Sequence, residues 1–179
     1  MASPELNVLR DVVERAVRLG AESIEVEYKD GFEETVFDGL GWSDRAWSKK
    51  VGMTSYKLMY HVLGSSLAAG NSCVIESNFS PEYDGPVIRS LLESNRARLI
   101  EIVCRCRPEV AFERFRTRAE SGQRHPGHVD SENLEEFRQT LEGWTSQPLG
   151  LGETIELDTN DFATMDPSRI FAEIDRLTE

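Results

Sequence analysis

The sequence predicts an α/β fold in which a mostly parallel sheet lies between two layers of helices. Short apolar segments of strand length recur along the 179 residues, and segments with helical periodicity, roughly ten residues or longer, separate them. A helix between consecutive strands is the crossover that parallel pairing requires. Polar residues follow directly after the predicted strands, where sheets of this kind bind ligands. Together these observations predict a three-layer αβα domain.

The first two elements are predicted to be a helix and a strand. Ser3 suits the N-cap position and Pro4 the first turn, and apolar residues then recur at helical spacing until Gly20. From Ile24 to Tyr28, apolar residues alternate with glutamates, which is the pattern of a half-buried strand. A turn is predicted immediately afterwards at residues 29–31, where the segment Lys-Asp-Gly ends the strand.

The rest of the chain alternates helices with strands in the same way. Apolar residues at helical spacing between 44 and 69 predict one helix or two, with Gly52 as the weak point. Pro108 and Pro167 suit the first turns of later helices. Helices are predicted at 44–69, 85–94, 108–119, 131–143 and 167–177, strands at 72–77, 98–104 and 154–157, and a polar loop at 120–130.

Length and charge restrict the class of protein. The 179 residues, 39% of them hydrophobic, are enough for one domain with its own core and too few for two of ordinary size. Acidic residues number 32 against 20 basic ones, so the net charge is −12. Such a surface repels phosphate backbones and anionic membranes, and we expect neither nucleic acid nor a membrane as a partner.

The cysteines and the N-terminus indicate a cytoplasmic protein. The three cysteines are an odd number, and Cys104 and Cys106 lie close together on a predicted buried strand, which favours reduced thiols over a disulfide framework. No second Cys/His cluster with ligand spacing accompanies them, so no metal site is predicted there. The sequence has neither the pattern of a secretory signal nor an apolar run of membrane-spanning length.

The predicted site lies beyond the carboxyl ends of the strands. Three polar segments follow predicted strands, at residues 29–30, 76–78 and 105–107. In an open α/β sheet the carboxyl ends of parallel strands share one edge, and ligands bind in the crevice outside it. These three loops are therefore the first candidates for a functional site.

Several motifs, taken in order, resemble those of a known family. Each is short, but their order and spacing along residues 29–144 make the combination specific. They are Lys-Asp at 29–30, Phe-Asp-Gly-Leu-Gly-Trp-Ser-Asp at 37–44, Val-Ile-Glu-Ser-Asn-Phe at 74–79, Cys-Arg-Cys at 104–106, Glu-Arg-Phe-Arg-Thr-Arg at 113–118 and Arg-His-Pro-Gly-His at 124–128. The combination resembles small P-loop kinase-like proteins, the AAA-family ATPases of zeta-toxin and chloramphenicol-phosphotransferase type. The resemblance implies one P-loop NTPase-like domain over residues 1–179, with an atypical helix and strand at 1–28 and a lid-like loop at 120–130.

By that resemblance, acidic and amide side chains serve the acceptor. Asp30 would orient or deprotonate an acceptor hydroxyl, because phosphoryl transfer depends mostly on positioning and charge neutralisation. The same residue also suits a turn before Gly31. Glu76, next to Asn78, would lie near the metal and the acceptor; alternatively, Glu76 ends its strand and caps the following turn.

The resemblance also implies a set of anion-binding arginines. Those at 114, 116, 118 and 124 would clamp the transferring phosphoryl group, although Arg116 points away from the face that Arg114 and Arg118 share. Alternatively, they form a solvated helix face paired with the glutamates at 109, 113 and 120. His125 and His128 in the lid-like loop have side chains of a type that titrates near neutral pH, but loop histidines are more often simply exposed.

One essential family motif is missing. No stretch of the 179 residues matches GxxxxGK[ST], and counting back from Gly20 puts the expected phosphate-loop lysine near Val8. The strand that precedes that loop is the central one in the family's 2-3-1-4-5 order, so the sheet is predicted to lack it. The backbone N–H and C=O groups at the edges of strands 72–77 and 98–104 then need hydrogen-bond partners, which could come from each other, from water or from a strand of another chain. Association of copies through sheet edges is therefore one expectation.

The resulting expectation is a kinase-like phosphotransferase with a degenerate Walker A motif. It would move a phosphoryl group from ATP or GTP, with Mg²⁺, to a small-molecule hydroxyl. Asp30, Arg118 and Arg124 are the predicted catalytic residues, and Glu76, Asn78 and Arg114 the predicted substrate-binding residues. The alternatives are a non-catalytic binding or regulatory module on the same scaffold, and a hydrolase that uses Asp30 and Glu76 as paired carboxylates.

Overall fold

A computed structural model describes the backbone at residues 24–142 and 146–178, and side chains from residue 31 onward within those ranges. The helix predicted at 3–20 lies outside them. The described elements alternate along the chain as the sequence predicts. They are β1 (Ile24–Tyr28), α1 (Lys29–Leu40), α2 (Arg45–Ala68), β2 (Ser72–Glu76), α3 (Gly85–Asn95), β3 (Ile100–Arg105), α4 (Pro108–Ser121), two 3₁₀ turns (Pro126–His128 and Asp130–Glu132), α5 (Leu134–Leu141), β4 (Glu153–Asp158) and α6 (Pro167–Thr178).

The described strands form two parallel pairs. β1 pairs with β2 from Ile24 opposite Ser72 to Tyr28 opposite Glu76. β3 pairs with β4 in a second sheet, which ends with Arg105 opposite Asp158. The α/β class with parallel pairing is therefore as predicted. Within residues 24–142 and 146–178, β2 and β3 do not pair with each other.

The turn predicted at residues 29–31 is wrong. The chain leaves β1 directly into α1, which begins at Lys29 and continues through Gly31 and Gly39 to Leu40. Each glycine lowers helix stability by up to about 1 kcal/mol, and this masked the helical pattern. Packing outweighs that cost, because Phe37 on this helix is completely buried.

The segment 44–69 is one helix, not two. Asp44 caps α2 at its N-terminus, where its Oδ1 accepts a 2.9 Å hydrogen bond from the backbone N–H of Trp47. Gly52, the predicted weak point, lies buried within the helix. The continuous helix packs against both α1 and α3 and thereby forms the centre of the first half of the molecule, residues 24–95.

The hydrophobic core is divided in the same way as the strands. Fully or nearly buried apolar side chains occur on α1, α2 and α3 in the first half, and on β3, α5 and α6 in the second half, residues 100–178. They are Phe37, Val51, Met59, Leu63, Ile88, Val103, Leu141 and Ile170. Each half therefore has its own parallel strand pair and its own buried side chains.

A buried carboxylate fixes the chain that enters β4. Glu101 on β3 is 8% exposed, and its two oxygens accept hydrogen bonds from the backbone N–H groups of Leu149 and Leu151, at 2.5 and 3.0 Å.

Within the described residues, no helix has the length and apolarity needed to cross a membrane.

Candidate functional site

The two predicted acceptor-side acids lie at the same edge of the first sheet. Tyr28, the last residue of β1, is in register with Glu76, the last residue of β2. Asp30 follows two positions later, in the first turn of α1. The backbone therefore brings positions 30 and 76 to the carboxyl ends of neighbouring strands, where the sequence predicted a site.

Hydroxyl groups organise the loop that leaves β2. The Oγ of Ser77 donates a 2.7 Å hydrogen bond to the hydroxyl of Tyr56, which donates in turn to the backbone carbonyl of Asn78 at 3.2 Å. Burial raises the pKa of Tyr56, and the carboxylates of Asp84, Glu33 and Glu76 raise it further, while the Ser77 hydrogen bond opposes them. Tyr56 thus marks an acidic environment beside Glu76 and Asn78.

The second sheet presents an open, shallow cavity at its own carboxyl edge. The cavity has a volume of about 410 Å³ and is lined by the ends of β3 and β4, among them Arg105, Arg107, Asp158 and Asn160. Asn160 Oδ1 accepts hydrogen bonds from the backbone N–H and the Nε of Arg107, at 2.8 and 3.4 Å. Asp158 Oδ1 accepts from the Nδ2 and backbone N–H of Asn160, at 2.7 and 2.8 Å. These bonds connect the ends of β3 and β4 in one polar network beside the cavity.

The Cys104 thiol, near the end of β3, is perturbed by its surroundings. Burial raises the pKa of the Cys104 thiol, and the nearby Glu76 carboxylate and the Cys106 thiol raise it further.

The predicted anion-binding arginines have separate environments. Arg114 donates a 3.2 Å hydrogen bond to the carbonyl of Asn160, and its guanidinium carbon lies 4.0 Å from the ring centre of Phe162. Arg118 is exposed and lies over the Phe115 ring of its own helix, at 5.6 Å. Arg114 therefore lies beside the cavity network, whereas Arg118 lies on the surface of α4.

Arg116 and Arg124 form ion pairs of different kinds. Arg116 pairs with Glu113 at 2.6 Å and with Glu120 at 3.5 Å, which is the solvated helix face that the sequence left as the alternative. Arg124 pairs with Asp130 at 3.0 Å inside the lid-like loop, and both side chains are mostly buried. The four arginines are therefore not gathered at one point.

The exposure expected for the two loop histidines is wrong. His128 is 5% exposed, and His125 stacks on Phe37 with the ring centres 5.3 Å apart. Their partners include Glu33, which the sequence analysis missed. A signal was present, because positions 30, 33 and 37 recur at helical spacing, but the turn predicted at 29–31 concealed it.

The acidic side chains do not form a ready-made metal cage. In the part of the chain that the structure describes, no group of three or more His, Cys, Asp or Glu side chains is placed to hold a metal ion. Mg²⁺ in phosphoryl-transfer enzymes is commonly bound by one or two carboxylates together with substrate phosphates. The edge that carries Asp30 and Glu76 has donors of that chemistry.

One solved structure is similar over nearly the whole chain. No family model matches the sequence, and no curated protein matches it. The crystal structure of "a putative kinase" from Chloroflexus aurantiacus J-10-fl, determined at 1.70 Å resolution, is 30% identical in sequence, with a TM-score of 0.79. The match covers 98% of this chain and 92% of that one.

Proposed function

This chain belongs to the same family as the kinase-like protein of Chloroflexus aurantiacus, and from that premise we propose that it is a phosphotransferase acting on the hydroxyl group of a small molecule. ATP or GTP would supply the phosphoryl group, with Mg²⁺ neutralising part of its charge. The relationship over 98% of the chain carries the proposal, and the polar strand ends support it.

The cavity at the ends of β3 and β4 is where the phosphorylated ligand would bind. Two arginines, Arg105 and Arg107, line it together with the carboxylates of Glu156 and Asp158. Arg105 already donates to Glu156 at 2.5 Å and to the carbonyl of Ser146, so Arg107 would make the main contact with the ligand. A guanidinium group binds a phosphoryl group through charge-assisted hydrogen bonds.

The acceptor would bind at the end of the first sheet. Asp30 would orient the hydroxyl and accept its proton, while Glu76 and Asn78 would hold the acceptor beside it. The carboxylates near Tyr56 support this assignment. They can accept a hydrogen bond from the acceptor hydroxyl, and their negative charge keeps a phosphate group from binding in its place.

The arginines would act on the transferring group in different ways. Arg118 is exposed and can turn toward a ligand without breaking a buried contact. Arg124 is held by Asp130 and would have to exchange that carboxylate for a phosphoryl oxygen. Arg114, beside Asn160, would contribute from the cavity side.

Calorimetry with a non-hydrolysable ATP analogue, with and without Mg²⁺, tests the proposal. We expect Mg²⁺-dependent binding that Arg107→Ala weakens by about tenfold or more, since charge-assisted hydrogen bonds contribute roughly 1.5–3 kcal/mol. Arg116→Ala is the matched control, because its ion pairs lie on the outer face of α4. Absence of heat up to millimolar analogue, from protein shown to be folded, would refute nucleotide dependence.

A non-catalytic binding module is the second candidate. The observation that favours it is the lack of a GxxxxGK[ST] segment anywhere in the 179 residues, since that loop supplies most phosphate contacts in P-loop enzymes. The same calorimetry separates the candidates: the binding module predicts a folded protein that does not bind the analogue.

A further inference from the structure

The turn between α4 and α5 lies where the two halves of the molecule meet. It runs from Arg124 to Asp130 and contacts α1 and α2 of the first half. α4 and α5 are themselves joined, because the Phe115 and Phe137 rings stack with their centres 4.1 Å apart. The turn and its two helices therefore form one arm, which carries Arg114, Arg116, Arg118 and Arg124.

A buried polar contact joins this arm to α1. Nδ1 of His128 lies 3.1 Å from Oε2 of Glu33, and the two side chains are only 5% and 6% exposed. Nε2 of His128 is buried and has no hydrogen-bond partner among the described residues, and the Glu34 carboxylate lies 3.6 Å from it. A carboxylate as buried as Glu33 needs such a donor, so loss of the contact would be costly.

Close ring packing surrounds that contact. Phe37 is completely buried and lies edge-on to His128 as well as stacked on His125. Gly127 lies directly against the Phe37 ring, since a Cβ atom there would come within 2.6 Å of two ring carbons. His125 also contacts the Trp42 ring at 4.9 Å between centres. The turn fits this surface only because residue 127 has no side chain.

Contacts within the turn also stabilise its shape. Nδ1 of His125 accepts a 3.0 Å hydrogen bond from the N–H of Gly127, and Arg124 pairs with Asp130 across the base of the turn. Val129 has a φ of +48°, which is strained for a β-branched residue and persists only where the surroundings impose it. Nδ2 of Asn133 donates to the Val129 carbonyl at 2.7 Å and helps to impose it.

We propose that the turn from Arg124 to Asp130 is a clasp that positions the arginine-bearing arm against α1, whose first turn contains Asp30. Glu33, Phe37 and Gly127 are positioning residues in this proposal. α1 carries Asp30 and Glu33 one turn apart, so docking at Glu33 sets the distance between the arm and Asp30. The consequence for phosphoryl transfer rests on the proposed function, whereas the docking itself does not.

Gly127→Ala tests the clasp with readouts that need no substrate. The added methyl group cannot fit against Phe37, so the turn should lift and expose the peptide bond after Arg124 to trypsin. We expect cleavage there to accelerate at least about tenfold at low protease, where the rate follows the open population. The emission of Trp42 should change as His125 leaves it, and a Trp42→Phe background should abolish that change. Gly39→Ala is the control, since a Cβ at that position meets no atom within 4 Å.

Two variants of His128 distinguish a role in positioning the turn from a role in the stability of the whole protein. His128→Ala removes the donor to Glu33 and should open the turn, whereas His128→Asn keeps an N–H donor near the position of Nδ1 and should largely restore protection. Wild-type cleavage rates and Trp42 emission in folded Gly127→Ala and His128→Ala would overturn the proposal. So would loss of protection only at the urea concentration that unfolds the whole protein. If the clasp opens as expected while calorimetry detects no nucleotide, the proposed function fails and the clasp stands.

Discussion

The hydroxyl of Tyr60 donates a 2.5 Å hydrogen bond to Oδ1 of Asp84, and Oδ2 of the same carboxylate accepts from the backbone N–H of Ser80. Burial raises the pKa of Tyr60, and the hydrogen bond to Asp84 and the charge of that carboxylate raise it further. The hydroxyl therefore stays protonated and remains a donor. The pair therefore joins α2 to the loop that follows β2.

Tyr60→Phe should destabilise the protein. The substitution leaves Asp84, which is 9% exposed, with one donor fewer, and the expected loss is about 1–3 kcal/mol in the free energy of unfolding. Urea denaturation monitored by circular dichroism measures it. Tyr83→Phe is the control, because Tyr83 is 73% exposed and should change stability by no more than about 0.5 kcal/mol. Equal effects of the two variants would show that the Asp84 contact contributes nothing.

Gly152→Ala should destabilise the protein, and Gly64→Ala should not. A Cβ at position 152 would lie 2.0 Å from the carbonyl oxygen of Leu99, so the start of β4 must move away from the backbone before β3, at a cost of about 1–3 kcal/mol or more. At position 64 the nearest atom is the flexible tip of Leu91, at 3.1 Å. Alanine gains up to about 1 kcal/mol over glycine in a helix, so Gly64→Ala should be close to neutral. Thermal unfolding of both variants is the measurement, and a Gly152→Ala protein as stable as wild type would contradict this packing.

Glu136 should contribute stability that depends on pH and salt. Hydrogen bonds from Arg45 and Lys49 lower its pKa to about 2 in the folded protein. Because the folded pKa is depressed, the contribution is fully present above the unfolded pKa of about 4.3 and is lost as the pH falls from there to about 2. The carboxylate is largely exposed, so Glu136→Gln should cost only about 0.2–1 kcal/mol at pH 7 and low salt.

The effect of Glu136→Gln should shrink in 1 M salt, where charges are screened within about 3 Å. Unfolding of wild type and variant at pH 7 and at pH 2, with and without salt, measures it. Glu82→Gln on the exposed loop after β2 is the control. A difference that persists unchanged at pH 2 would mean that the carboxylate charge is not the cause.

Asp30→Asn should separate nucleotide binding from transfer. Asparagine keeps the size of the side chain but cannot accept the acceptor's proton, so phosphoryl transfer should fall by about 10²- to 10⁴-fold while affinity for the ATP analogue stays unchanged. A panel of small hydroxyl compounds with labelled ATP measures transfer, and calorimetry measures affinity. Full transfer activity in the variant would show that Asp30 has no catalytic role and serves only in the first turn of α1.

Sequence periodicity predicted most of the elements. The strands at β1, β2, β3 and β4 and the long helix α2 follow from alternation and helical spacing, because these patterns report which face of an element is buried. α1 was missed because two glycines weaken its pattern, and the energy that overrides them comes from Phe37 in the core. Local helix propensity does not include the stabilisation gained by burying Phe37.

The candidate site divides in the same way. The sequence alone determined that polar residues follow the strands, that parallel pairing brings positions 30 and 76 to one edge, and that no GxxxxGK[ST] loop is present. Only the tertiary structure decided that His128 meets Glu33, that Tyr60 holds Asp84, and that Arg114 and Arg124 have different partners. The physical reason is distance along the chain: a period of two or 3.6 residues describes one element's exposed and buried faces. Which faces meet depends on packing and hydrogen bonding between segments far apart in sequence, such as His128 and Glu33.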